Sequence, residues 1–502
     1  METNTEARRL LFLTNAELGQ ANVHLAVIEW LLAHQPHIEL HLCSFASLRP
    51  AVAAINDGAG ADTAAPQVTF HALSGAPWKE CLFERPEHQW QEICALPPTA
   101  WSVARSAPLM PRVVLPWNAD ELVDLTRQVK EVVESVDAQL VIVDNLFTPG
   151  ITVCYNVNPK WCVLSPNTYR EFILGDQPRY ENYWKHPPTS SFIPYPVPFY
   201  MIPSALYHQR QWTRNRQSTW IHENAVHLWE KTDKKIIYAD WGRLSYDPPK
   251  DLKIFLPSNA IVDFPFSKIP DHIVSCGPIL RPVATSLEEA DPKLAAWLRR
   301  RPTVYINLGT HVLYDSDTQI NLAGAIKALL EAAAAKKQDI QVLWKVNRDK
   351  KKEGSDHEAL YKELGQDGDQ DRVLIVDWLL AEPVLVLNSG SIVCSVNHGG
   401  ANSYFEAVSA GVPQIVLPVW FDTYDFARRV EYFGIGKIGN RNNAPKCCKD
   451  ELAPIFKQVV LEEAGKVMQV KATKMAEACK ASGQGSEKAA RGILELLEGT
   501  EA

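Results

Sequence analysis

A chain of 502 residues is too long for one compact core, so two domains of about 200–250 residues each are expected. With 46% hydrophobic and 22% charged residues the composition is that of a globular protein, which excludes a disordered chain and a disulfide-dense scaffold. Lys plus Arg number 51 against 59 Asp plus Glu, a net charge of −8 with no basic tail, which argues against tight nucleic-acid binding through phosphate neutralisation.

The N-terminal stretch METNTEARRLLFLTN has an apolar run too short for a signal peptide, and no window reaches the roughly eighteen apolar residues of a membrane span. The ten cysteines are scattered, none in a C-x-x-C pair, and the adjacent Cys447 and Cys448 lack zinc-ligand spacing. A soluble cytoplasmic protein with free thiols is expected.

The chain opens with a buried-strand run at 10–14, a loop at 15–20, and a helical pattern with Val23, Ala26, Val27, Trp30 and Leu31 on one face. Strands are predicted at 38–43, 68–73 and 140–143, and an amphipathic helix at 120–136. Continuously apolar strands alternating with helices imply a parallel sheet covered on both faces. Residues 170–232 break this rhythm with Trp, Tyr, Phe and Pro, as in SSFIPYPVPFYMIP. Two readings stand there: an aromatic lid or acceptor pocket, or a helical insertion packed on its own domain. The prolines and glycine of 269–282 read as a linker. Strands follow at 304–308, 342–346, 373–376, 392–396 and 414–417, with helices at 320–337 and 403–410 and a helical tail beyond 463. The whole is an α/β protein of two doubly wound, Rossmann-like domains facing across a cleft. The charge run 348–352 reads as a solvated surface. Neither G-x-G-x-x-G after a strand nor a P-loop occurs.

The chemistry concentrates in VNHGGANSYFEAVSAGVPQIVLP, residues 396–418. An apolar strand enters His398-Gly399-Gly400 and a helix begins near Asn402. Glycines permit close backbone approach, and the helix start, with Asn402, Ser403 and His398, can bind an anion without a metal. Glu406, one turn along the same face, can accept two hydrogen bonds from a vicinal diol such as a ribose. Phosphate at the tip and ribose one turn deeper is nucleotide geometry. The alternative is an Asn N-cap beside a tight glycine turn.

Residues 378–427 resemble the donor-binding signature of the family 1 UDP-sugar glycosyltransferases, which have the GT-B fold. From His398 to Asp422 the match runs without a gap: histidine, glycine, Asn-Ser, glutamate, Gly-Val-Pro, proline, Trp420 and Asp422. The likeness is greatest to soluble fungal members that glycosylate secondary metabolites and other small lipophilic acceptors. The resemblance implies that Trp378 stacks on uracil, that His398, Gly400, Asn402 and Ser403 hold the diphosphate together with Gly309 and Thr310, and that Glu406 holds the ribose. Trp420 and Asp422 would face the sugar. Between Trp378 and His398 there are two more residues than in the plant pattern, and a core tryptophan is the other reading of Trp378. His311 would be a further diphosphate contact.

Two positions depart from the family. Thr423 stands where glutamine usually contacts the sugar, which leaves glucose as the default donor sugar and another hexose open. Gln20 stands where many members have a catalytic histidine, and an amide has no useful basicity. Three bases are candidates: His24, one turn beyond Gln20 on the same stripe; Asp144, at the place of the family aspartate, acting directly or through His24; and Glu17, in the loop before the helix. Their alternatives are a histidine at a helix–sheet boundary, a loop carboxylate and a solvent carboxylate. Asp-x-Asp at 315–317 and within 367–371 reads as solvated turns.

The expectation is therefore a metal-independent, inverting UDP-sugar glycosyltransferase with no cofactor beyond the UDP-sugar co-substrate. It comprises an acceptor domain at 1–275, a donor domain at 276–463, and helices at 464–502 that pack back toward the N-terminal domain. The competing reading is a non-catalytic sugar-nucleotide-binding protein; a retaining phosphorylase-like enzyme is disfavoured because no lysine for a pyridoxal cofactor stands out.

Overall fold

The computed structural model describes residues 8–58, 67–214, 219–282, 285–310, 312–347, 357–365 and 372–499. Seven strands form the first sheet: β1 (Arg8–Leu13), β2 (Ile38–Phe45), β3 (Val68–Leu73), β4 (Leu140–Val143), β5 (Trp161–Leu164), β6 (Ile254–Leu256) and β7 (Ile273–Ser275). They are parallel and ordered β3-β2-β1-β4-β5-β6-β7. In register, Leu10 of β1 lies between Leu40 and Leu140. Side chains of β1 alternate between two cores, as strand geometry requires. Leu10 and Phe12 pack with the helix Leu18–His34, while Leu11 and Leu13 pack with the helix Ala119–Val136. A strand buried on both faces has no polar side, and hence the unbroken apolar run.

The second sheet is also parallel and has six strands: β8 (Thr303–Asn307), β9 (Gln341–Lys345), β10 (Val373–Val376), β11 (Ile392–Asn397), β12 (Gln414–Val416) and β13 (Gly436–Ile438), ordered β10-β9-β8-β11-β12-β13. In each sheet the order reverses beside the first strand, at β1/β4 and at β8/β11. The loops leaving those strand pairs are where open α/β sheets bind ligands, and they face one another across a cleft.

The sequence reading missed β5, β6, β7 and β13. Three of these have only three residues, and β7 lies inside the stretch read as a linker because Pro270 and Pro278 flank it. The described residues of 170–232 fold into short helices, including Ile202–Arg214 and Thr219–Lys231, and part of them lines the cleft. In the tail, Glu463–Ala481 packs under the helix Ala401–Ser409, and Gly485–Glu498 returns to the first sheet, with Ala489, Ala490 and Ile493 in its core.

Polar contacts fasten the two halves. Arg429 reaches Asp263 at 2.8 Å and Thr168 Oγ1 at 2.8 Å, and Arg170 reaches Asp425 at 2.8 Å, all fully buried or nearly so. At the other side Arg281 joins Glu29 at 2.5 Å and Glu382 at 3.1 Å. All ten cysteines are free thiols.

Candidate active site

The donor side is built on the end of β11. Asn397 accepts the Gly399 N–H at 2.9 Å and donates to Gln414 at 3.1 Å, which fixes the turn. Gly399 has φ +82°, and a Cβ there would lie 2.7 Å from the Thr423 carbonyl oxygen, so only glycine fits. The imidazole of His398 is held between two glycines: a Cβ on Gly309 would sit 2.6 Å from its Cε1, and one on Gly400 2.6 Å from its Nε2. Burial, reinforced by the Lys345 charge, pushes His398 down to about 4, so the ring is neutral at pH 7 and its Nδ1 has no partner. Gly400 begins the helix Ala401–Ser409, whose first turn receives no side-chain cap. An anion can take those N–H groups.

His398, Gly400, Asn402, Ser403, Glu406, Gly309, Thr310, Trp378, Trp420 and Asp422 all line one cleft of about 2000 Å³. Trp378 is 66% exposed, which excludes a core tryptophan and leaves a flat face available for stacking. Lys345, at the end of β9, was not singled out from sequence. It is buried, lies 4.7 Å from the Trp378 ring centroid, and donates to the Gly309 carbonyl at 3.2 Å. Its one available signal was a lysine closing the apolar run of a buried strand. Burial and the Glu382 charge push Glu406 up to about 8. Burial and the Glu171 charge push Asp422 up to about 7. Asn402 donates to the Leu18 carbonyl at 3.1 Å and so bridges the cleft.

Thr423 lines the same cleft. It is 1% exposed, and its hydroxyl accepts the Val419 and Trp420 N–H groups at 3.1 and 3.0 Å and donates to the Trp420 carbonyl. That hydroxyl is consumed in shaping the loop that presents Trp420 and Asp422.

Across the cleft the candidate bases separate. His24 lies in the core against Phe12, fully buried, and burial pushes it down to about 3. It faces the Leu164 carbonyl without a well-aligned hydrogen bond, and it does not line the cleft. Gln20 and His24 share a stripe, but the first turn of their helix overhangs the strand ends while the second rests on the sheet. Asp144 is also fully buried and off the cleft wall. It accepts from Thr14 Oγ1 at 3.3 Å, from the Asn15 N–H and Nδ2 at 3.4 Å each and from the Leu146 N–H at 3.0 Å, and burial holds it up at about 6. It organises the loop beneath the cleft, and no hydrogen bond joins it to His24. Direct contact with an acceptor is closed to both groups.

Glu17 and Gln20 do line the cleft. Glu17 Oε1 accepts the Lys79 N–H at 2.8 Å, its Oε2 is buried without a partner, and burial raises its carboxyl above the ordinary range. Apolar walls surround them, with Phe83, Trp90, Met110, Phe172, Trp212 and Trp241 among the lining residues. Trp90 stands 5.6 Å from Trp420 and Trp212 5.9 Å from Phe421, ring to ring, so aromatic contacts cross from the acceptor side to the loop before Asp422.

Among the described residues no group of three or more His, Cys, Asp or Glu side chains is placed to hold a metal ion. Asp315 caps the helix Ser316–Ala335 and pairs with Lys446 at 2.6 Å, while His311 and residues 367–371 lie outside the described residues, as do 348–352. Among the described residues no helix is long and apolar enough to cross a membrane.

Comparison with known proteins gives consistent matches. Residues 370–493 match the family model for the C-terminal domain of proteins like erythromycin biosynthesis protein CIII. The chain is 34% identical over 458 residues to the glycosyltransferase sdnJ of Sordaria araneosa, spanning 88% of this chain and 85% of that one. It is 28% identical over 185 residues to flavonol 7-O-beta-glucosyltransferase of Arabidopsis thaliana, 36% of each chain. In fold it is similar to a UDP-glucosyltransferase from Polygonum tinctorium that glucosylates indoxyl (TM-score 0.62, 14% identity, 99% of this chain and 100% of that). It is likewise similar to a UDP-glucose:anthocyanidin 3-O-glucosyltransferase solved with UDP (TM-score 0.61, 16% identity, 99% and 100%).

Proposed function

The chain belongs to the UDP-glycosyltransferases of GT-B fold, and from that premise we propose that it moves a hexose, glucose by default, from a UDP-sugar to a hydroxyl of a small lipophilic acceptor with inversion. The carrying observation is the meeting of two loops across one cleft, the 398–403 tip on one side and Glu17–Gln20 on the other, with Asn402 touching Leu18 between them. A non-catalytic role is not favoured, because the relative matched over most of the chain is a transferase.

In this reading residues 276–463 hold the donor and 1–275 the acceptor. Trp378 stacks on uracil and Glu406 takes the ribose diol. The helix tip, neutral His398 as N–H donor, and Lys345 meet the diphosphate, whose charge grows as the glycosidic bond breaks. No metal enters the scheme. The aromatic walls suit a lipophilic acceptor and keep water from the anomeric carbon.

Of the three candidate bases, Glu17 is the one that lines the cleft and takes the role here. As the acceptor oxygen bonds to the anomeric carbon and the bond to UDP breaks on the opposite face, the hydroxyl proton passes to the Glu17 carboxylate, and Gln20 orients the acceptor. A carboxylate raised by burial is a stronger base than one in water. Glu17→Gln is expected to lower kcat by about 100-fold or more with UDP affinity by calorimetry unchanged; full turnover in that variant removes Glu17 from the role. Incubation with several UDP-sugars and a panel of phenols, terpenoids and sterols, read by mass spectrometry, tests the donor and the acceptor class together.

A further inference from the structure

The helix Ile202–Arg214 has two working faces. Gln209, Trp212 and Thr213 line the acceptor side of the cleft. The opposite face and the turn before it stand in solvent, with Phe199 84% exposed, Tyr200 70%, and Leu206 and Tyr207 43% each. The helix Ala100–Ser106 packs beside it and adds Trp101, 76% exposed and 6.2 Å ring to ring from Tyr207. Arg105, Arg210 and Arg214 are exposed on the same two helices.

Charge sets this surface apart. Residues 93–119 and 182–222 contain no Asp or Glu, in a chain whose net charge is −8. Large exposed apolar patches on soluble domains mark interaction sites. Aromatic side chains interleaved with arginines suit the boundary of an anionic bilayer, where rings settle among headgroups and guanidinium groups meet phosphate. The rings stand in two edge-to-face pairs, Trp101 with Tyr207 and Phe199 with Tyr200 at 5.8 Å, beside arginines on segments without a carboxylate, a charge pattern complementary to an anionic lipid surface.

The geometry points to a lipid-docking surface on which Trp101, Phe199, Tyr200 and Tyr207, with Arg210 and Arg214, seat the chain on an anionic bilayer. The rest of the chain, net acidic, is repelled by the same bilayer, so one orientation is selected: the helix Ile202–Arg214 lies between lipid and cleft. A lipophilic molecule dissolved in that bilayer then reaches the cleft wall without crossing bulk water.

Co-sedimentation of the full chain with phosphatidylcholine vesicles, and with vesicles of phosphatidylcholine and phosphatidylserine at three to one, tests this. Partition into the anionic vesicles is expected to exceed that into neutral ones by at least about tenfold. The triple variant W101S/F199S/Y200S and the charge variant R210E/R214E are each expected to lose about tenfold or more of that binding. Both should keep the thermal unfolding temperature and the turnover of a water-soluble acceptor, since none of these side chains lines the cleft. Equal partition into the two vesicle types, unchanged binding by well-folded variants, or capture of an acidic protein without vesicle binding would each overturn the proposal.

Discussion

Removing the Glu406 carboxylate is the sharpest test of the donor site. Burial pushes this carboxyl up to about 8, so at pH 7 it is mostly protonated. The ionised form accepts both hydroxyls of a diol through charge-assisted hydrogen bonds, which are the stronger ones. Two hydrogen bonds to a half-buried carboxylate are worth about 2–4 kcal/mol, and releasing its proton at pH 7 costs about 1.4 kcal/mol of this, one unit of pKa. Glu406→Ala is therefore expected to weaken UDP binding by about 1–3 kcal/mol at pH 7, roughly 5- to 150-fold. At pH 9 the ionisation cost vanishes and the loss grows to about 2–4 kcal/mol. Wild-type affinity should accordingly climb by about tenfold from pH 7 to pH 9, a range in which the terminal phosphate of UDP is already ionised. Glu406→Ala and Glu406→Gln should both lose this tenfold rise. Titration calorimetry of all three proteins at pH 7, 8 and 9 decides it. Equal affinities for wild type and Glu406→Ala at every pH, or a wild-type affinity that falls with rising pH, would refute the diol assignment.

Three further outcomes follow from the packing. His24→Leu should leave kcat within about threefold and the unfolding temperature unchanged or raised, because it replaces a buried, poorly bonded imidazole with an apolar side chain; steady-state rates and a melting curve check this. Gly400→Ala drives a methyl group to 2.6 Å from His398 Nε2, so the KM for the UDP-sugar should rise by about tenfold or more with about 1–3 kcal/mol lost in stability, read by donor titration and denaturant unfolding. Lys345→Met should lower UDP affinity by about tenfold while leaving uridine affinity nearly unchanged, since the ammonium would act on the diphosphate alone; calorimetry with both ligands separates the two.

The donor residues were legible because they are nearly contiguous. His398, Gly400, Asn402, Ser403 and Glu406 occupy one strand end and the first turns of one helix, so local geometry alone brings them to a common side. Trp378 and Gly309 follow β10 and β8, the two strands that flank β9 in the same sheet, and parallel sheets collect strand ends at one edge. The apolar runs at 10–14 and 392–396 likewise announced strands covered on both faces.

The acceptor side obeys longer-range rules. Gln20, Glu17 and His24 lie within eight residues of each other, yet which of them meets the cleft depends on how far their helix overhangs the sheet, and that is set by packing against β1, β5 and the returning C-terminal helix. The pattern that put His24 on the stripe of Gln20 was sound, but a helical stripe does not say where the sheet ends beneath it. Asp144 emerges at the correct strand end and is then covered by the loop it holds. Thr423 has a hydroxyl whose partners are its own turn, a choice no substitution pattern reveals. Lys345 joins the site from another strand altogether. Local chain geometry thus determined the fold class and the proposed nucleotide grip, whereas the surroundings of each titratable group, and with them the choice of Glu17 as the proposed base, were decided by burial in the assembled structure.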